Sequence, residues 1–317
     1  AMNNIGWMYF NGLGIEQDLK KAIYWYGKGA NDGDPNAQSN LGYMYQQGIG
    51  IDEDLGTAYH WYLMAARQGL AEAQHNVGWM LLHGQGVRQN LEQALYWYQL
   101  SAEAGYTRAQ TTLGWLMEQG ISGKPDYAQA ALWYQKAVSA GDPIAMNNLA
   151  WLYQKGLGVE ADINEAVILY RQASDGGYSL AHTNLGLLYL EGEGVPQDYT
   201  HAMRLFAQAA EKREPKAINN LGYMYEMGLG TDKDMQQALQ WYALGASMGD
   251  STAQYNLGRL YEKGLGGDGG KDRAVHWYLE AARGRSPQAR ERLKQLGVDW
   301  GANQDPGAQK IQENELK

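Results

Sequence analysis

A six-residue run, Ala-x-x-Asn-Leu-Gly, returns along this chain at a fixed interval of 36 residues. Its glycine stands at Gly6, Gly42, Gly78, Gly114, Gly186, Gly222 and Gly258, and Ala150 fills the remaining place. A second marker keeps the same step: Trp25-Tyr26, Trp61-Tyr62, Trp97-Tyr98 and Trp133-Tyr134, then Leu169-Tyr170, Leu205-Phe206, Trp241-Tyr242 and Trp277-Tyr278. Eight copies in register argue for a stack of repeats, each meeting only its neighbours, over one globular core. Such an array is a surface first, and its function lies in what that surface holds.

Each copy reads as two helices. The copy that begins at Ala37 runs as a helix through Tyr45 and stops at Gly48-Ile49-Gly50, where glycine supplies the left-handed backbone of a helix end. Asp54 then caps a second helix that ends at Gly69. The cap column is Asp18, Asp54, Asn90, Asp126, Asp162, Asp198 and Asp234, all with a side-chain oxygen for the first unpaired N–H groups. At 100° per residue the first helix gathers Ala37, Leu41, Met44 and Tyr45 on one face, and the second gathers Ala58, Trp61, Tyr62, Ala65 and Ala66. Both the Trp and the Tyr of the second marker are expected in the core, each burying ~150–250 Å².

The pattern Ala-x-x-x-Leu-Gly-x-x-Tyr-x-x-Gly-x-Gly, then Asp-x-x-x-Ala-x-x-Trp-Tyr-x-x-Ala-Ala-x-x-Gly, resembles the Sel1-like repeat family of the tetratricopeptide superfamily. The resemblance covers residues 1–297. It implies an all-α fold: a right-handed α/α superhelix of eight 36-residue helix-turn-helix repeats plus a C-terminal capping helix. It also implies an adaptor or scaffold for other proteins, and no reaction. A cysteine-rich branch linked to penicillin binding does not transfer, since this chain has no cysteine. Residues 287–297 read as the capping helix, with Ala289, Leu293 and Leu296 in its apolar slots, and 298–317 as a polar tail whose one anchor is Trp300.

The charge of −9 argues against nucleic acid or an acidic membrane surface as partner. No stretch is apolar and long enough to span a bilayer, and without cysteine there is no thiolate metal site or disulfide framework. Ala1-Met2-Asn3-Asn4 repeats Ala145-Met146-Asn147-Asn148, so the chain reads as cut from a longer parent. A bacterial cytoplasmic or periplasmic setting and a monomer are the working expectations.

Counting the motif alanine as slot one, slot four carries Asn4, Asn40, Asn76, Thr112, Asn148, Asn184, Asn220 and Asn256. Slot seven carries Trp7, Tyr43, Trp79, Trp115, Trp151, Leu187, Tyr223 and Arg259, and slot eleven ends in Lys263. These slots lie within about 60° of one another and far from the core face. In tetratricopeptide-like arrays this is the helix that lines the groove. The expected groove residues are Trp7, Asn40, Tyr43, Asn76, Trp79, Trp115, Asn148, Trp151, Asn220 and Tyr223. The Asn column has two readings, bridges between helices or ligand contacts; the ring column likewise serves inter-repeat packing or a partner. That partner is a protein or peptide, or alternatively a glycan stacked on the same rings by an envelope module. Asn256, Arg259 and Lys263 share a face and form a candidate carboxylate clamp, with solvation of a terminal repeat as the plainer reading.

No catalytic group, cofactor or metal site emerges. The Gly-x-Gly turns lack the strand and the Lys-Ser/Thr of a phosphate loop, and residues 266–270 supply too few oxygens for calcium. His75 and His83 lie about 12 Å apart along one helix. Repeats 5 and 6 replace Trp by Leu169 and Leu205 and end in Lys212-Arg213-Glu214-Pro215, which predicts a softer joint over 169–215.

Overall fold

The computed structural model describes residues 1–298 apart from 122 and 268; Trp300 and the rest of the expected tail lie outside the described residues. The described residues form helices and no strand. The first helices of the repeats are α1 (Met2–Asn11), α3 (Pro35–Gln47), α5 (Ala71–His83), α7 (Thr107–Glu118), α9 (Pro143–Lys155), α11 (Ser179–Glu191), α13 (Pro215–Met227) and α15 (Ser251–Glu262). The second helices are α2 (Leu19–Asn31), α4 (Leu55–Arg67), α6 (Leu91–Glu103), α8 (Tyr127–Ser139), α10 (Ile163–Asp175), α12 (Tyr199–Glu211), α14 (Met235–Ser247) and α16 (Gly270–Arg283). The capping helix is α17 (Pro287–Gln295). The chain divides into two compact units, 1–162 and from Ile163 onward, and within each unit every helix packs on the next as in an α/α solenoid.

The cap column does what its chemistry requires. Asp18, Asp54, Asn90, Asp126, Asp198 and Asp234 each accept the backbone N–H three residues on, at 2.9–3.0 Å. The motif glycine has an equally local cause. It lies under the aromatic ring of its own repeat's second helix: a Cβ on Gly6 would stand 2.6 Å from the Tyr26 ring, and one on Gly186 2.7 Å from Phe206. At these positions a methyl would have to push the ring aside, so ring and glycine go together in seven repeats, with Ala150 of repeat 5 the exception.

The core divides the Trp-Tyr marker in a way its apolarity does not reveal. Tyr26, Tyr62, Tyr98, Tyr134, Tyr170, Phe206, Tyr242 and Tyr278 are all fully buried. Trp25, Trp61, Trp97, Trp241 and Trp277 are only half-buried, and only Trp133 reaches the core. The half-buried indoles cover the seam to the preceding repeat: Trp61 packs on the cluster of Ala22, Tyr26 and Leu41, and Trp241 on that of Phe206 and Leu221.

A second device was not anticipated. Gln38, Gln74, Gln110 and Gln254, in slot two, are buried and donate to the carbonyls of Ala30, Ala66, Ala102 and Ala246 at 3.1–3.3 Å. Each amide adds a second hydrogen bond to a carbonyl at the C-terminal end of the preceding helix, which also accepts the backbone N–H of the glycine three residues on. The signal was present as four glutamines spaced by multiples of 36, each directly after a motif alanine.

Repeats 5 and 6 keep helices as regular as the others, α9 to α12 each spanning 13 residues. Arg213 supplies the left-handed turn otherwise made by glycine, at φ 61°, and Arg285 does so at φ 66°. At the cap, Ala289 and Leu293 are buried as expected, but Leu296 is exposed and Val298 takes its packing role.

Candidate binding face of the first helices

Slot seven lies where helical geometry puts it, away from the core. Trp7, Tyr43, Trp79, Trp115 and Tyr223 keep between 37% and 50% of their surface exposed. Trp151 differs: it is half-buried, its ring 6.5 Å from that of Tyr127. The slot-four amides beneath them are half-buried and partly committed. Asn40 donates to Asn3 Oδ1 at 2.8 Å, one repeat back, and Asn148 donates to Tyr134 Oη at 3.3 Å. Asn76 and Asn220 are half-buried as well.

In the first unit the expected residues gather at three cavities. Trp7, Asn40, Tyr43 and Asn76 line one of about 260 Å³ together with Tyr26 and Glu72. Burial pushes the Tyr26 phenol up to about 12. Trp79 and Trp115 line a second cavity of about 370 Å³, with His75, Leu82, His83 and Tyr98. The third, about 490 Å³, brings Trp115 and Asn148 beside Arg108 and Asp142. His75 borders the last two, and burial, helped by the charge of Arg108, pushes its imidazole down to about 4. His83 lies over Trp79, ring centroids 4.6 Å apart.

Below the rings a polar rung recurs that the sequence analysis missed. In four repeats the buried tyrosine of the second helix reaches slot ten of its own repeat: Tyr62 Oη donates to Gln46 at 2.9 Å, Tyr134 to Glu118 at 2.7 Å, Tyr242 to Glu226 at 3.1 Å and Tyr278 to Glu262 at 2.7 Å. Two of these carboxylates also take a guanidinium from the helix two further on, α15 for Glu226 and α17 for Glu262. Arg259 binds Glu226 through both terminal nitrogens, at 2.7 and 2.5 Å, and Arg292 binds Glu262. Burial works to raise the Glu226 carboxyl, but the hydrogen bonds and charge of Arg259 outweigh it and hold it below the ordinary carboxylate range.

This alters the reading of Asn256, Arg259 and Lys263. Arg259 does clamp a carboxylate, and that carboxylate is the protein's own. Lys263 stands 3.9 Å from the same Glu226, and Asn256 turns away to donate to Asn219 at 3.0 Å. The signal was Glu226 itself, 33 residues before Arg259 and two helices back.

The second unit holds a larger cavity, about 710 Å³, lined by Arg171, Tyr189, His201, Arg204, Leu205 and Lys212 among others. It opens where Leu205 stands in place of the indole of other repeats. Arg171 donates to Tyr189 Oη at 3.1 Å, and Arg204 lies 2.7 Å from His201 Nδ1. Among the described residues no group of three His, Cys, Asp or Glu is placed to hold a metal, and no helix is long and apolar enough to cross a membrane.

Comparison with known proteins agrees with this architecture. The family model of the Sel1 repeat matches eight times, at residues 1–34, 35–70, 71–106, 107–142, 143–178, 179–213, 215–250 and 251–286. No match was found among curated proteins. Among solved structures, a protective antigen of uropathogenic Escherichia coli with an SLR fold is 34% identical, at a TM-score of 0.76 over 95% of this chain. This chain spans 64% of that antigen's length. A Sel1 repeat protein of Oxalobacter formigenes is 28% identical, with a TM-score of 0.71, over 77% of this chain and 96% of its own. Yeast Tom70 shares the fold alone, at 13% identity and a TM-score of 0.50, over 93% of this chain and 63% of that one. Sel1 repeat proteins are generally scaffolds for protein interaction and typically not catalytic. With eight repeats matched across the solenoid, the chain belongs to the Sel1 repeat family.

Proposed function

We propose that this chain is a non-enzymatic adaptor that binds an extended or helical peptide of another protein along the first-helix face. The observation that carries the reading is the contrast between two aromatic columns of one period. The tyrosines of the second helices are buried, whereas Trp7, Tyr43, Trp79, Trp115 and Tyr223 remain open to solvent. Packing explains the first column and leaves the second without a task. Exposed Trp and Tyr at regular spacing beside half-buried amides suit a peptide, whose side chains fill pockets while its backbone meets the amides. The likeness to an Escherichia coli antigen and an Oxalobacter protein supports a bacterial setting.

The test is a selection of displayed random peptides on the immobilised chain, run beside a glycan array. Enrichment of a peptide motif that Trp79→Ala with Trp115→Ala abolishes supports the reading. Binding of glycans alone, lost in the same variant, would replace it with the envelope glycan module.

A further inference from the structure

The tyrosine rung lacks its slot-ten acceptor in repeat 1, where Phe10 stands in the repeat of Tyr26, and in repeat 3, and of these two only repeat 3 buries an unpaired hydroxyl. Where slot ten is Gln46, Glu118, Glu226 or Glu262, the buried tyrosine donates its hydroxyl to it. Where slot ten is Leu190, the aromatic is Phe206 and carries no hydroxyl. In repeat 3 slot ten is Leu82, yet the aromatic is still tyrosine. Tyr98 is completely buried, and its hydroxyl has no hydrogen-bond partner among the described residues. Packing alone does not require that oxygen, since Phe206 fills the same place without it. A buried, unpaired hydroxyl is costly.

Leu82 and Tyr98 both line the 370 Å³ cavity, and a second unpaired atom belongs to the same wall. The buried Nδ1 of His75 also lacks a partner, and the His75 ring stands edge-on to Tyr98 with centroids 5.2 Å apart. The imidazole is neutral at pH 7, because burial and then the Arg108 charge depress it. The remaining wall is mostly apolar or aromatic, Trp79, Trp115, Leu116 and Ile121, with Thr112 and His83 as its other polar members.

We infer that this cavity is the anchor pocket of the binding face and takes a tyrosine side chain of the bound peptide, a reading that rests on the adaptor function proposed above. The ligand ring lies between Trp79 and Trp115. Both polar atoms are sealed behind the wall, so the ligand must displace the Leu82 side chain to reach them. Its hydroxyl then accepts from Tyr98 Oη–H and donates to His75 Nδ1, the nitrogen that the Nε2–H tautomer leaves as acceptor. A carboxylate would enter beside a neutral imidazole with no cation lining the cavity. A pyranose brings several hydroxyls to a wall with few polar groups, whereas a phenol brings one.

The probes are p-cresol, toluene and methyl glucoside, titrated into the full chain and read by the His75 ring and the Trp79 and Trp115 indole resonances. In the wild type p-cresol binds at least about tenfold more tightly than toluene, the share of two hydrogen bonds. Tyr98→Phe lowers that preference about three- to tenfold, the share of one hydrogen bond, while leaving the melting temperature unlowered, as the Phe206 repeat leads one to expect. Equal binding of cresol and toluene, a preference undiminished by Tyr98→Phe, or tighter binding of methyl glucoside overturns the assignment. The displayed-peptide selection separates this from the wider reading. Enriched peptides without tyrosine, bound equally by Tyr98→Phe, overturn the pocket and leave the adaptor standing. A cresol preference with no peptide enriched keeps a phenol site and overturns the adaptor and the tyrosine anchor with it.

Discussion

The Tyr242 ring lies so close against Gly222 that a methyl group added to that glycine would stand 2.6 Å from it. The same contact joins Gly114 to Tyr134 and Gly258 to Tyr278, so the most regular feature of the sequence marks where two helices touch. Gly222→Ala pushes the ring aside, at about 1–3 kcal/mol, against a propensity gain of ~1 kcal/mol. Gly27 is the opposite case: it lies inside α2 with nothing within 4 Å of an added methyl. Thermal denaturation should show Gly222→Ala melting lower and Gly27→Ala melting higher, by about 0.5–1 kcal/mol in the second case. Shifts of one sign in both would contradict the packing account.

Arg213 and Arg285 hold the left-handed backbone that glycine holds in the other repeats. A side chain there costs ~1–2 kcal/mol, part of which glycine returns as unfolded-chain entropy. Arg213→Gly and Arg285→Gly should each stabilise the fold by about 0.5–1 kcal/mol. Denaturant titration checks this, and a loss in either variant would show that the arginine holds something its backbone does not reveal.

Glu226 and Arg259 give a dependence on pH whose sign is fixed. The Glu226 carboxyl lies below its ordinary 4.5 in the folded state, so the unfolded chain binds the proton more readily. The pair's contribution is therefore full above that value and lost as pH falls through the lower folded one. Arg259→Met leaves the buried carboxylate without its cation. Because Arg259 keeps 29% of its side chain exposed, the cost at neutral pH is about 1–3 kcal/mol rather than that of a sealed pair. The gap to the wild type should close in acid. A gap unchanged between pH 7 and 3 would contradict it.

The tyrosine rung predicts unequal effects of one substitution. Tyr134→Phe and Tyr242→Phe remove a hydroxyl that donates to a carboxylate and should cost about 1.5–3 kcal/mol. Tyr98→Phe removes an unpaired hydroxyl and should cost nothing or stabilise. Equal losses across the three would mean that the Tyr98 hydroxyl is satisfied like the others.

The fold was legible because its determinants are local and repeat. Asp54 announces a cap, Gly48 a helix end, and the 36-residue period repeats the first signal in seven copies and the second in eight. Helical angle alone put Trp79 and Trp115 away from the core face, but it left open whether they pack between repeats or face solvent. What stayed hidden depends on which helix faces which. Arg259 and Lys263 share a face on any helical wheel, but no wheel shows Glu226 two helices back. Trp61 and Tyr62 are equally apolar neighbours, and only the packed structure sends one to the seam and the other to the core. The Tyr98 pocket depends on Leu82 facing a tyrosine whose hydroxyl is buried unpaired, meaningful only once the rung in other repeats is known.

The most direct measurement is the affinity of a display-selected peptide for the wild type and for Trp79→Ala with Trp115→Ala, with melting temperatures recorded alongside. Both rings are more than a third exposed, so their loss should leave the fold standing. The account predicts an affinity loss of at least about 30-fold, as expected for a binding hot spot, at a nearly unchanged melting temperature. Unchanged affinity, or a melting temperature that falls while affinity holds, would make the rings packing and contradict the account.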